Sequence, residues 1–302
     1  MAFDAGFLRA VVFELNRDLA DGKVDKIGQP SADEVVLQIR HFGETKRLLI
    51  RAGASLSRLS LTGENKDNPA TPPMFCMLLR KHLGGAKLLR VEQPGYERIA
   101  RIAFSGYDEM GYETEKYLVA EIMGKYSNLM LLDGNDRILA AHRTVDFSTS
   151  RVRQVLPGMT YELPPAQDKR EPLTETREGF LSALAAADPE QQADKYLTAA
   201  YLGTSVQVAR EIVYRATGRT DTRLFETRPT ALADAFFAWH ERLRENRYEM
   251  TLMRAADGAP LEYCYAPLTY FGAGTTCETY PDAGALLDAC FGERERLARV
   301  HN

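Results

Sequence analysis

Glu97 and Arg98 stand side by side just after Pro94-Gly95, and this acid–guanidinium pair is the first feature of the chain that could do chemistry. Arg98 supplies a planar, permanently charged donor that can bind a phosphate or a guanine edge, or stack on an unpaired base. Glu97 cannot take a phosphate, because like charges repel. It can accept from base amino groups or hold Arg98 in place. Without further context an exposed pair of this kind is worth about 0–1 kcal/mol and reads as an ordinary surface ion pair. A second candidate surface is Glu121-Ile122-Met123-Gly124-Lys125-Tyr126-Ser127-Asn128. Lys125 can meet a phosphate, Ser127 and Asn128 carry short hydrogen-bonding side chains, and Gly124 lets backbone approach backbone. Ile122 and Met123 suit packing better than contact, and Ser127 and Asn128 could equally satisfy their own turn.

The formal net charge of −4 argues against a nucleic-acid binder that works by bulk electrostatics. Its distribution is uneven: residues 1–170 carry +2 and residues 171–302 carry −6. Between Arg137 and Arg153, the arginines Arg137, Arg143, Arg151 and Arg153 and the imidazole of His142 accompany a single acid, Asp146. A docking polyanion would meet the chain there; the alternative is a solvated charged edge. Cysteines 76, 264, 277 and 290 form no CxxC, and the five histidines are scattered, so neither a metal nor a cofactor is expected. No GxGxxG or GxxxxGK[ST] follows a strand, which leaves no motif for a nucleotide cradle.

Composition supports this division of labour. With 45% hydrophobic and 26% charged residues, 302 residues have room for two modest globular cores. The opening MAFDAGFLRAVVFELNRD lacks a basic stretch followed by an apolar one, and no segment is long and apolar enough to cross a bilayer. The expectation is a cytoplasmic protein with no membrane partner.

The elements that must position the candidate residues follow from periodicity. Phe7, Leu8, Val11, Val12, Leu15 and Leu19 recur at helical spacing between Asp4, a cap, and Gly22. Strands are predicted at 24–27, 35–40 and 47–51, with a fourth candidate at 56–61, before a polar loop at 62–71. A helix runs over 72–83 from Pro72-Pro73 to the Gly84-Gly85 stop. Strands then follow at 87–91, 98–104, 116–121, 129–133 and 137–141, so Glu97 and Arg98 lie where a turn becomes a strand. Adjacent residues on a regular strand face opposite ways, so both reach one partner only if a turn or bulge re-aims one. Many short strands around two helices imply an antiparallel sheet or sandwich.

A proline-punctuated linker at 166–176 leads to helices at 179–187, 193–201, 206–217 and 230–246, then a hairpin at 248–266 and a charged helix at 283–300. Tyr201-Leu202-Gly203-Thr204-Ser205 resembles the turn of a helix-hairpin-helix module, in which backbone N–H groups around Gly203 would face a phosphate. A single glycine turn also joins helices in many unrelated folds. The resulting division is an α+β amino-terminal domain at 1–170, a mainly helical domain with an appended hairpin at 171–283, and a further helix at 284–302.

Several of these words together resemble the NFACT family, which includes RqcH, NEMF and fibronectin-binding protein A-like proteins. The matching words are Gln29-Pro30, PPMFCMLLRKHL at 72–83, Glu97-Arg98-Ile99, EIMGKYSN at 121–128 and RVRQVLPGMTYELPP at 151–165. One departure is Glu97, where the family carries Asp. The resemblance implies an antiparallel, β-rich amino-terminal domain similar to that of formamidopyrimidine-DNA glycosylase, a helix-hairpin-helix domain after it, and at 284–302 the start of a coiled-coil arm. It also implies a tRNA- and large-ribosomal-subunit-binding factor of ribosome-associated quality control. Such a factor recruits tRNA, alanyl-tRNA in bacterial members, to a subunit holding an obstructed nascent chain, for tailing without mRNA. Peptide-bond chemistry stays with the ribosome, so no enzyme is expected. Two other classes are a glycosylase-like DNA-binding protein and a fibronectin-binding adhesin. The first lacks its amino-terminal proline, since Met1 is followed by Ala2-Phe3-Asp4; the second rests on the family's older name alone and would need export.

Overall fold

Alternation of apolar and polar residues builds the first sheet. Along Glu34–His41, Val35, Leu37 and Ile39 are buried while Arg40 faces solvent, the pattern of a strand with one covered face. The computed structural model describes residues 2–300. In chain order they form α1 (Ala5–Leu19), β1 (Lys23–Ser31), β2 (Glu34–His41), β3 (Glu44–Arg51), β4 (Arg58–Thr62), α2 (Met74–Leu83), β5 (Leu88–Glu92), β6 (Ile99–Tyr107), β7 (Glu113–Glu121), β8 (Asn128–Leu132) and β9 (Ile138–Ala141). There follow α3 (Arg177–Ala185), α4 (Ala193–Ala200), α5 (Val206–Thr217), α6 (Pro229–Arg244), β10 (Met250–Arg254), β11 (Pro260–Cys264), β12 (Thr276–Tyr280) and α7 (Ala283–Val300). Met1, on which the glycosylase comparison turned, and the last two residues of the expected arm lie outside the described residues.

The described chain divides into two compact units that are not contiguous in sequence. One comprises residues 11–94, 98–166 and 283–300. It holds two antiparallel sheets, ordered β1-β2-β3-β4 and β5-β6-β7-β8-β9. Every strand pairs with its neighbour in sequence, so each sheet is a meander closed by short turns. Ile99, Val119, Met130, Leu132 and Ile138, with Val155 and Tyr161 from the segment after β9, form a core on the five-stranded sheet. The helix α7, which the resemblance makes the root of an arm, packs its first half on this unit. Asp288 accepts from Arg58 Nη2 at 2.9 Å, Thr62 Oγ1 at 2.8 Å and the Gly63 N–H at 2.8 Å.

The other unit comprises residues 2–10, 95–97 and 167–282. It contains α3 to α6 and a sheet ordered β11-β10-β12. Phe180 stacks on Tyr201, Phe236 packs tilted against both, and Trp239 Nε1 donates to the Tyr265 hydroxyl at 3.0 Å. The starts of α3 and α5 are capped by side chains, as at Thr176, whose Oγ1 accepts from the Gly179 N–H at 3.0 Å. The linear division at 170 and 283 therefore differs from the compact units at both ends: the first residues go with 167–282, and α7 goes with the sheets. The strand β12 had no counterpart in the sequence reading. Its residues are mostly exposed, so the apolar alternation that reveals other strands is missing.

Candidate nucleic-acid interface

Two motifs that start 24 positions apart in sequence meet at one end of the β6–β7 ladder. Ile99 is paired with Glu121, and just beyond that pair the Ile122 N–H donates to the Arg98 carbonyl at 2.9 Å. Arg98 is half-buried at the entrance to β6. Glu97, also half-buried, belongs to the 95–97 segment of the other unit, so the adjacent residues fall on either side of the division.

The connection from β7 to β8 is a single 3-10 turn, Gly124–Tyr126, entered with Gly124 at φ +59°. Ser127 Oγ accepts from the Met123 N–H at 2.9 Å and shares a hydrogen bond with Ser57 Oγ at 3.1 Å. Asn128 holds the neighbouring strand end: its Nδ2 donates to the Arg143 carbonyl at 2.8 Å and its Oδ1 accepts from the Arg143 N–H at 2.9 Å. Both side chains are buried, and their bonds brace the turn. Ile122 is packed in the interior and Met123 lies against the core of the five-stranded sheet.

What this turn presents outward is Lys125 and Tyr126. The Tyr126 ring is 72% exposed, with Lys125 Nζ 5.0 Å from its centroid. Arg143 joins them by donating from Nη1 to the Lys125 carbonyl at 2.9 Å. His142 and Arg143 also approach Asp33, at 3.5 and 3.9 Å. A lysine, an arginine and an open aromatic face at one edge can take a phosphate and stack a base. In the sequence Tyr126 is marked only by its place beside Lys125.

Glu121 plays a different part. It is 2% exposed, accepts from Arg153 Nη1 and Nη2 at 3.1 and 2.5 Å, and accepts from the Tyr161 hydroxyl at 2.8 Å. Burial, reinforced by the Glu121 charge, pushes the Tyr161 phenol far above its ordinary range. Arg153 also donates from Nε to the Glu162 carbonyl at 2.9 Å. The carboxylate is thus committed to a buried pair that ties the 150–162 segment to β7.

The basic run is divided by the sheet. Arg143 stands by Asn128 at one end of β8, whereas exposed Arg137 precedes β9, whose Ile138 pairs with Leu132 at the other end, roughly 13 Å along the strand. Arg151 is exposed in the loop beyond Asp146, and Arg153 turns inward. In the other unit Gly203 has φ +65°, and a Cβ there would sit 2.6 Å from both the Ala5 Cβ and the Tyr96 ring. Ser205, which caps α5, donates from Oγ to Asp4 Oδ2 at 2.6 Å, so a carboxylate already serves the start of that helix. Among the described residues no group of three His, Cys, Asp or Glu is placed to hold a metal, and no helix is long and apolar enough to cross a membrane.

A family model described as the NFACT N-terminal and middle domains matches residues 4–302. The chain belongs to the NFACT family. It is 38% identical over 217 residues to the Rqc2 homolog RqcH of Bacillus subtilis, a match covering 72% of this chain and 38% of that protein. The match therefore spans well under half the length of that relative. Among solved structures, the N-terminal part of the fibronectin/fibrinogen-binding protein from Streptococcus suis superposes with a TM-score of 0.80 at 28% identity, covering 96% of this chain and 99% of that one. The fibrinogen binding protein from Staphylococcus aureus superposes with a TM-score of 0.78 at 30% identity, covering 95% and 98%. The NFACT fold seen here is the fold of those chains.

Proposed function

We propose that this NFACT chain is the tRNA-handling part of a ribosome quality control factor. In this reading it binds tRNA, alanyl-tRNA in a bacterial setting, and contributes to binding a large ribosomal subunit that holds an obstructed nascent chain. The carboxy-terminal tail is then built by the ribosome, and this chain does no bond-making of its own. The observation that carries the reading is the shared edge at which the Arg98 backbone, the Lys125–Tyr126 turn and Arg143 converge. Backbone and side-chain bonds fix that edge before any ligand arrives, which lowers the ordering cost of binding. The similarity to Rqc2 homologs supplies the quality control context.

The turn at 201–205 enters the proposal as a helix-hairpin-helix connection. Asp4, which accepts from Ser205 at the start of α5, supports a bracing role for this turn.

The test is Arg98→Ala in a tRNA-binding titration, with sequencing of the RNA that co-purifies with the longer protein. The expected result is weaker tRNA binding with thermal stability changed by less than about 1 kcal/mol. Unchanged tRNA affinity, or a loss of several kcal/mol of stability, would sink the assignment.

A further inference from the structure

A polar row crosses one face of the first sheet. Lys26 on β1 is registered with Gln38 on β2, and Gln38 with Arg47 on β3. The adjacent row, Ile27, Leu37 and Leu48, is buried, so the polar row lies on the opposite face. It forms part of the wall of a cavity of about 320 Å³. The loop after β4 closes one side, bringing Glu64 and Asn65 to the cavity, and is held in place by Lys66, whose Nζ donates to both Glu34 carboxylate oxygens at 2.9 Å. Asn68 lies so close over Gly28 that a Cβ there would be 2.4 Å from its Oδ1. Arg80 of α2 approaches from another side, anchored by its Nε on the Ile27 carbonyl at 2.8 Å.

Arg47 is the unusual member. Its Nε is shielded from solvent and has no hydrogen-bond partner among the described residues, and its guanidinium makes no ion pair there. That shielded N–H is out of reach of a ligand in the cavity, but the two terminal nitrogens of a guanidinium with a lysine on the same row suit an oxyanion. Lys26, Arg47 and Arg80 outweigh the acids Asp25 and Glu64 around the cavity, Lys66 being matched by Glu34. Those two acids and the amides of Gln38 and Asn68 offer acceptors and donors for hydroxyl and amino groups next to the oxyanion. The volume is at the lower end of small-ligand pockets, roughly 300–1,000 Å³, which suits one monomeric unit and no folded macromolecule.

We propose that the cavity bounded by Lys26, Gln38, Arg47, Asn68 and Arg80 binds a single nucleotide, its phosphate on Arg47 and Lys26 and its base or ribose on the amides and acids. No phosphate-binding motif marks this site in the sequence, because its residues come from three strands, a loop and a helix. The nucleotide is either free in solution or one unit of a single-stranded RNA. None of the cavity residues belongs to the edge near Arg98, so failure here leaves the tRNA reading standing.

The 302-residue chain is titrated calorimetrically with AMP, with adenosine, with inorganic phosphate and with a short single-stranded RNA. For a free nucleotide, AMP binds saturably, adenosine binds at least tenfold more weakly, and phosphate competes with AMP. For an RNA source, only the RNA binds, and it still depends on Arg47. In either case R47Q weakens binding roughly tenfold to a hundredfold, while R219Q, an exposed arginine of the other unit, leaves it unchanged. Should R47Q fail to fold, R47K and K26Q carry the test with an expected loss of about tenfold. Adenosine binding as tightly as AMP, no saturable binding of any probe, or affinities indifferent to these substitutions would overturn the proposal.

Discussion

The Glu121 carboxylate takes both terminal nitrogens of Arg153, 32 residues further along the chain, and also takes the Tyr161 hydroxyl. Both charged residues have the chemistry of RNA contacts, and in the fold they are given to each other. Removing one partner of a buried pair strands the other charge, which costs about 3–5 kcal/mol. Arg153→Ala is therefore expected to lower stability by several kcal/mol in urea denaturation, and Glu121→Gln by less, since an amide still accepts from Tyr161. A fully stable Arg153→Ala with impaired tRNA binding would place the guanidinium on the RNA instead.

Lys125 offers the opposite case, because it is exposed and, among the described residues, its ammonium meets only the neighbouring Tyr126 ring. Lys125→Ala should change stability by no more than about 0.5 kcal/mol. Its effect belongs in the salt dependence of tRNA binding: the slope of log K against log salt should fall by about 1. Tyr126→Ala should leave that slope alone and remove about 1–3 kcal/mol of stacking. A slope unchanged by Lys125→Ala would show that its ammonium meets no phosphate.

Local patterns carried most of the fold into the sequence, and the sites less evenly. β2 alternates clearly, β8 reads as a short apolar run, and α2 is bracketed by Pro72-Pro73 and Gly84-Gly85. What periodicity cannot express is register over distance. Glu121 and Arg153 meet through a segment outside any strand, and Lys26, Gln38 and Arg47 become one row only after three strands are aligned. Glu97 and Arg98, adjacent in sequence, fall in different compact units. Exposure hid β12, because a strand without a buried face has no apolar signature.

His240 gives a pH dependence with a definite sign. Burial, with the charge of Arg244 adding to it, lowers its pKa to about 4, while its Nδ1 bond to the Phe236 carbonyl at 2.7 Å opposes the shift. The unfolded chain has an ordinary imidazole near 6.5 and so binds more protons between those two values. Stability from this group is complete above about pH 6.5 and is lost as the pH falls toward 4, by roughly 3 kcal/mol. Denaturation series at pH 7 and pH 4.5 should show that difference shrink in His240→Phe. An equal pH dependence in the variant would mean that the imidazole is not kept neutral in the fold.

Gly203 separates a packing role from a phosphate-binding one. Its φ of +65° is left-handed, where a side chain is strained by roughly 1–2 kcal/mol. A methyl group would also drive into the Ala5 Cβ and the Tyr96 ring, both buried in the same unit, and overpacking of this kind adds about 1–3 kcal/mol. Gly203→Ala is thus expected to destabilise by roughly 2–5 kcal/mol in thermal unfolding. The Asp4 carboxylate holds Ser205 at the start of α5 and repels an approaching phosphate. At a temperature where the variant remains folded, its tRNA affinity should therefore equal that of the parent chain. Lost tRNA affinity with unaltered stability would reverse the assignment and make the 201–205 turn a phosphate contact.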